Sequence, residues 1–447
     1  MTTKTRLSVL LLSTPVLAFV VVGGLMGSAP AARGDDTFQH LRVFQDVVSL
    51  VLNNYVEAVK IDKAMEGALT GLADGLDPDS AYLDATQVAA VEAGAALPEG
   101  DVGLELTRQY YLRVISARDG SPAAAAGLET GDYVRGIDGK PTRDMSVFEG
   151  TRLLRGQPGS KVVLTIIRGN AADPHEVTLV RSKPAGSQVT GRLMPVTAAA
   201  DSGAGAAKAS AGYIRVTGFR SGVADELKKE AAALAKAGAT SLIIDLKGTA
   251  EGSVDNGIAA ARAFVKSGTL SIRAERNGER KETVTAAAGD GGIELPVQLL
   301  VTAGTSGPAE VFAAALRDNK RAELVGEHTL GRAAVQKLVK LPEGRGLWLT
   351  YAQYYRSAAG GEQDRKPDTS GGTPDISGRP NAAAKAPDKG VAKVPGAEPI
   401  HGKGLQPDEA VEDAEVGEFG AALTDKGPLK DPILDAALER LRKKTAA

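Results

Sequence analysis

The sequence predicts an α/β multidomain protein, with an N-terminal helical segment, a small β-rich module and an α/β core. Three observations predict it. Between 37 and 95 apolar residues recur three and four apart, the spacing of one helix face. Between 98 and 183 short β-prone runs are separated by Gly, Pro and Asp-Gly turns. From 184 to 356 strand-like and helix-like runs alternate, the pattern of a sheet with crossover helices.

Composition sets bounds on function. At 447 residues the chain has room for two or three cores. A net charge of -2 leaves no nucleic-acid footprint. The absence of cysteine excludes disulfides, thiolate zinc sites and cysteine nucleophiles. His40, His175, His328 and His401 show no metal-binding spacing, so no cofactor is expected.

Lys4 and Arg6 precede an apolar run, Leu7 to Gly27, that exits through Ser28-Ala29-Pro30-Ala31-Ala32. Residues 1–33 therefore read as a secretory signal or, at about 21 apolar residues, as an uncleaved anchor. Pro15 and Gly23-Gly24 weaken the spanning reading. The rest is expected in the periplasm or otherwise outside the cytoplasm, touching membrane only through this segment.

Residues 34–97 form the helical region, with Leu41, Phe44, Val47 or Val48, Val51 and Tyr55 on one face. It ends in Gly75-Leu76-Asp77-Pro78-Asp79-Ser80-Ala81-Tyr82-Leu83. Within 98–183, Ser121 to Leu128 reads as a short helix stopped by Gly127, and Asp138-Gly139 as a hairpin. Met145 to Arg155 reads as a helix and Lys161 to Ile167 as a strand. Core elements are expected at 212–216, 222–237, 241–246, 256–265 and 297–302, with a strand over 347–355. The core spans 184–357 and 399–447, closing with a helix over 431–444. Residues 358–398 are rich in Gly, Pro, Ala and Lys and read as an exposed, disordered insertion.

The run Thr302 to Gln336 is a strand end, a Gly-rich turn, a helix, a short strand and a G-E-x-T-x-G loop. It resembles the C-terminal processing (tail-specific) peptidase family, whose turn reads S-A-S-A-S-E and whose loop reads T-F-G-K-G-x-V-Q. The L-D-P-D-S-A-Y-L run resembles that family's L-D-P-H-S-S-Y-L signature, with Asp79 and Ala81 as departures. Residues 98–183 resemble a PDZ domain, with Gly103, Leu104, Glu105 and Leu106 at its carboxylate-binding loop and an S-P-A-x-x-A-G-L run after it. The resemblance implies a PDZ-like β-sandwich or barrel module and a crotonase-like α/β peptidase core. It also implies a Ser–Lys dyad, with the PDZ module gating a tunnel for peptide tails.

The family's nucleophile position falls on Gly307 and its lysine position on Arg332. Glycine cannot form an acyl-enzyme, and a guanidinium keeps its proton. Asp245-Leu246-Lys247-Gly248-Thr249-Ala250-Glu251-Gly252 stands where the family has D-L-R-x-N-P-G-G, so Glu251 replaces a glycine of the oxyanion loop. Inward-pointing, Glu251 would oppose an oxyanion. Glu310, Asp318, Gln336 and Gly252 remain from the surroundings. Each reads as a cap, an ion pair or a backbone partner: Asp318 with Arg317, Arg321 or Arg332, and Arg332 with Asp318 or Glu310. Ser306 reads as the helix N-cap.

The resulting expectation is a pseudopeptidase that binds C-terminal peptide tails and scaffolds or regulates an active peptidase or adaptor. Two alternatives stand beside it. One is an active peptidase using Ser306 or Thr305 with Lys337 or Lys340. The other is a purely structural envelope protein with an empty groove.

Overall fold

A computed structural model describes residues 34–94, 97–169, 173–184, 186–196, 209–276, 281–357, 394, 397–413 and 431–446. The N-terminal apolar run and most of the expected insertion lie outside the described residues. The chain divides into two units, residues 1–71 and 72–447.

The first unit holds helix α1 (Gly34–Asn54) and most of α2 (Ile61–Asp74). The apolar positions expected on one face of α1, Leu41, Phe44, Val47 and Val51, are all exposed. The helical region is also less continuous than expected. After α2 come strand β1 (Ala81–Leu83) and helix α3 (Ala85–Glu92), which Asp84 and Gln87 cap reciprocally. The Asp77 carboxylate accepts from the backbone N–H groups of Asp79 and Ser80 and from Ser80 Oγ, which fixes the turn between α2 and β1.

The β-rich module contains β2 (Leu104–Gln109), β3 (Tyr111–Ala117), helix α4 (Pro122–Ala125), β4 (Tyr133–Ile137), β5 (Lys140–Pro141), helix α5 (Val147–Leu154), β6 (Lys161–Ile167) and β7 (His175–Val180). Its strand order is β2-β3-β4-β6-β7, with β5 beside β4 through the Asp138-Gly139 hairpin. Among the described residues no strand pairs with the outer edge of β2, and α5 lies beside β2. Leu106, Leu112, Val114, Val134, Leu154, Leu164 and Ile166 pack this module's separate core.

The α/β core follows. Strands β8 (Val189–Val196) and β9 (Ala209–Val216) precede helix α6 (Val223–Lys236), β10 (Ser241–Asp245) and helix α7 (Val254–Ala261). Next come β11 (Thr269–Glu275), β12 (Glu282–Thr285), β13 (Val297–Val301), helix α8 (Pro308–Asp318) and β14 (Ala322–Gly326). The chain then runs through β15 (Ala334–Lys340), β16 (Gly346–Ser357), β17 (Ala397–Pro399), β18 (Glu409–Ala410) and helix α9 (Pro432–Ala446). The main sheet has the order β18-β14-β13-β10-β9-β8 and is parallel except where β8 meets β9. Such strands are covered on both faces, so β10 and β13 are buried at every position. Phe219, Phe264 and Phe312 centre the face carrying α6, α7 and α8, while Ile433, Leu434 and Leu438 of α9 cover the other. The second sheet is built on β16, which pairs with β1, β11, β15 and β17. Because Ala397 and Glu398 belong to β17, they are part of the core rather than of the insertion.

The module and the core meet within the second unit. Arg215 of β9 holds Asp119 of the module through Nε at 2.7 Å and Nη2 at 3.0 Å. Gly304 lies so close that a Cβ there would meet Thr130 Oγ1 at 2.8 Å and Ile115 O at 2.9 Å.

Gln298 on β13 is 2 % exposed, and among the described residues neither its Nε2 nor its Oε1 finds a partner. A buried amide without hydrogen bonds is a standing cost, so Gln298→Leu should raise unfolding stability by about 1–2 kcal/mol. A urea melt showing a loss instead would mean that the amide is satisfied.

Candidate active site

Three loops meet at the carboxyl ends of the parallel strands, where open α/β sheets place their sites. They are the 246–253 loop after β10, the turn before α8, and the 327–333 loop after β14. One buried carboxylate ties two of them together. Glu310, 0 % exposed, accepts from Gly307 N (2.9 Å), Gly331 N (2.6 Å), Arg332 N (2.8 Å) and Thr329 Oγ1 (2.5 Å). Burial raises its pKa above the usual carboxylate value, and the hydroxyl and three N–H donors pull the other way. Thr329 Oγ1 accepts in turn from Leu405 N at 2.8 Å.

Gly307 is the N-cap of α8, at φ 59 and ψ -114. A side chain is strained at that φ, the sharp turn on which nucleophile serines of other hydrolases sit. Space is not the obstacle, because an added Cβ would come no nearer than 3.5 Å to Arg332 O. Sequence reasoning overlooked a further defect beside it. The Gly307 N–H is committed to Glu310, and the next residue, Pro308, has none. The start of α8 therefore offers no free donor at these two positions for an oxyanion.

Arg332 does pair with an acid, but not with Asp318 or Glu310 as expected. Its Nε donates to Asp79 Oδ1 at 2.8 Å, and its Nη2 lies 2.7 Å from the same oxygen. Nη1 faces Glu105 of the module at 3.9 Å. Burial works against the Arg332 charge, yet Asp79 and Glu105 outweigh it and hold its pKa above the ordinary arginine value. Asp318 pairs with Arg356 Nε at 3.4 Å, because Arg317 and Arg321 are drawn elsewhere, to Asp408 and to the Phe264 carbonyl. Burial pushes Asp318 up to about 6 against that arginine.

The remaining candidates fall into place around them. Ser306 is 1 % exposed and precedes the cap instead of serving as it, since Glu310 caps the Gly307 N–H. Thr305 Oγ1 donates to Leu246 O and accepts from Thr302 N, a purely structural pair of bonds. Lys337 lies over the Tyr351 ring and Lys340 pairs with Glu92, and neither lines the cleft that holds Gly307. Gln336 Nε2 donates to Thr350 Oγ1 at 3.2 Å. Glu251 pairs with Arg118 at 2.9 Å and Arg220 at 3.5 Å and does not line the cleft that holds Gly307.

Gly252, Ser306, Gly307, Arg332, Gln336 and Glu105 line one cleft of about 420 Å³. Among the described residues no lysine or histidine lines it. Glu105 is half-buried there; burial pushes it up to about 7, Arg332 opposes the rise, and Glu251 and Asp101 add to it beyond what Arg155 offsets.

Fold and site together define a peptidase-like α/β frame preceded by a PDZ-like module. Residues 210–377 match the profile of Peptidase family S41 and residues 113–168 that of a PDZ domain. The carboxyl-terminal-processing protease of Picosynechococcus sp. is 32% identical over 298 residues, covering 66% of this chain and 69% of that protein. The carboxy-terminal-processing protease of Bartonella bacilliformis is 28% identical over 414 residues, 91% of this chain and 89% of the relative. A solved photosystem II D1 C-terminal processing protease superposes with TM-score 0.60 at 26% identity, over 83% of this chain and 86% of its own. The chain belongs to peptidase family S41.

Two outcomes test this geometry. Glu310→Ala strands its donors in the interior and should lower stability by about 3 kcal/mol or more; a change in the urea midpoint worth under about 1 kcal/mol would contradict the tie. Glu105 protonates more readily folded than unfolded, so its stabilising contribution is complete below its unfolded pKa and vanishes as pH rises through about 7. Melting temperature should fall between about pH 5 and about pH 8, and less steeply in Glu105→Gln. Equal slopes would show that Glu105 is not responsible.

Proposed function

We propose that this chain is a catalytically silent family member, lying outside the cytoplasm. In this reading its PDZ module captures the C-terminal tails of other proteins, and the chain thereby scaffolds or regulates proteolysis by an active peptidase or adaptor. One observation carries the reading. The family's nucleophile position, Gly307, lines the same cleft as a guanidinium that Asp79 holds and that cannot act as a base.

Support for tail capture comes from the outer edge of β2 beside α5, with the Gly103–Leu106 run at its head. An extended peptide can add to such an edge through main-chain hydrogen bonds, which need no dyad. Support for the location is the basic, then apolar, then small-residue start of the sequence. Among the described residues no helix is long and apolar enough to cross a membrane.

The test is turnover of an unfolded protein with a flexible apolar C-terminus, using the full chain. Wild type should be silent. Gly307→Ser with Arg332→Lys should stay near background, because Asp79 would keep the introduced lysine protonated and Pro308 supplies no N–H. Adding Asp79→Asn and Pro308→Ala should raise turnover above that double variant. Wild-type cleavage abolished by Ser306→Ala would overturn the reading.

A further inference from the structure

Glu251 of the core reaches into the head of the module's own groove. The loop there runs through Gly103 to Glu105, and Arg118 stands against it, its backbone N–H donating to Gly103 O at 2.8 Å. The Arg118 side chain, 10% exposed, donates to Asp101 Oδ1 at 2.8 Å and to Glu251 Oε2 at 2.9 Å. Between the loop, Arg118 and Glu251 about 30 Å³ remains. Leu104 and Leu154 wall this space, so an apolar wall and a cation stand together at the head of the groove, with Glu251 seated on the cation.

A C-terminal carboxylate entering along β2 would bring the same charge to the same place. Asp101 already takes one side of Arg118, and Glu251 takes the other. Both partners of this contact differ in origin: Arg118 belongs to the module and Glu251 to the loop after β10. The contact therefore also holds the two together, alongside Arg215 and Asp119.

We propose that Arg118 receives the C-terminal carboxylate of a captured tail, and that Glu251 is a built-in carboxylate that occupies its place until a tail displaces it. This rests on the tail-capture reading and adds the recognising residue and its control. It assigns a use to the residue that departs from the family's oxyanion-loop glycine. Tail affinity is then lowered by the fraction of molecules in which Glu251 is seated.

The test is binding by the full chain of N-terminally labelled nine-residue peptides, randomised at the last three positions, as free acids and as C-terminal amides. Wild type is compared with Glu251→Gln and Glu251→Gly, with melting temperatures confirming that each folds. Both variants should bind the acids at least about ten-fold tighter, the scale of one charge-assisted contact, and the amides unchanged. Equal tightening of acids and amides, or binding of acids with no gain, would overturn the proposal while leaving tail capture standing. Failure of every protein to bind either set would overturn both.

Discussion

Glu310 carries a carboxylate where no water reaches, and the positions of two loops follow from it. Without its four donors that carboxylate would face the full cost of desolvation; with them it fixes the turn at Gly307 and the backbone at Gly331 and Arg332. The frame of the site is thus held by a residue that touches no reacting atom. This separates architecture from chemistry. The reactive positions can change while the loops stay in place, because the tie runs through main-chain N–H groups and the Thr329 hydroxyl.

Once the backbone at 332 is fixed, the side chain there has few choices. A lysine at this place would need a neutral amine to act as base, which burial favours and a nearby carboxylate opposes. Here Asp79 supplies that carboxylate, 6% exposed, on the turn that Asp77 organises. Nε and Nη2 of the planar guanidinium converge on one Asp79 carboxylate and leave Nη1 toward Glu105, a geometry that a point-like ammonium does not reproduce. Such an ion pair is weak evidence of stability, since its attraction must offset the desolvation of both charges. Its consequence is positional: the guanidinium is held toward Asp79 and Glu105. Glu251 shows the same exchange at the oxyanion loop, where a side chain unsuited to catalysis finds an arginine across the boundary with the module.

Much of this was legible in the sequence, and the misses share a cause. The βα alternation placed β10, β13 and α6 within a residue or two, because buried parallel strands and their helices leave strong local patterns. Gly307 and Arg332 were found through the resemblance of the turn and the G-E-x-T-x-G loop to those of C-terminal processing peptidases. The partner of Arg332 was not found, since Asp79 lies 253 residues away and only the fold brings them together. Local spacing likewise pointed Asp318 to its near neighbours, whereas those arginines bond across loops and Arg356 of β16 takes the acid. The Ser306 cap failed because a reaching carboxylate, Glu310, did the capping from three residues on. Pro308 was readable from the start, but its missing N–H matters only once the Gly307 N–H is seen to be spent.

The central claim is that no activated nucleophile faces the cleft. Treating the folded full chain with a fluorophosphonate, and locating any adduct by peptide mass spectrometry, tests it most directly. No modification of Thr305 or Ser306 beyond that of the urea-unfolded chain is the expected result. Rapid, stoichiometric labelling of either residue in the folded chain alone would contradict the account and make this a working peptidase with a displaced nucleophile.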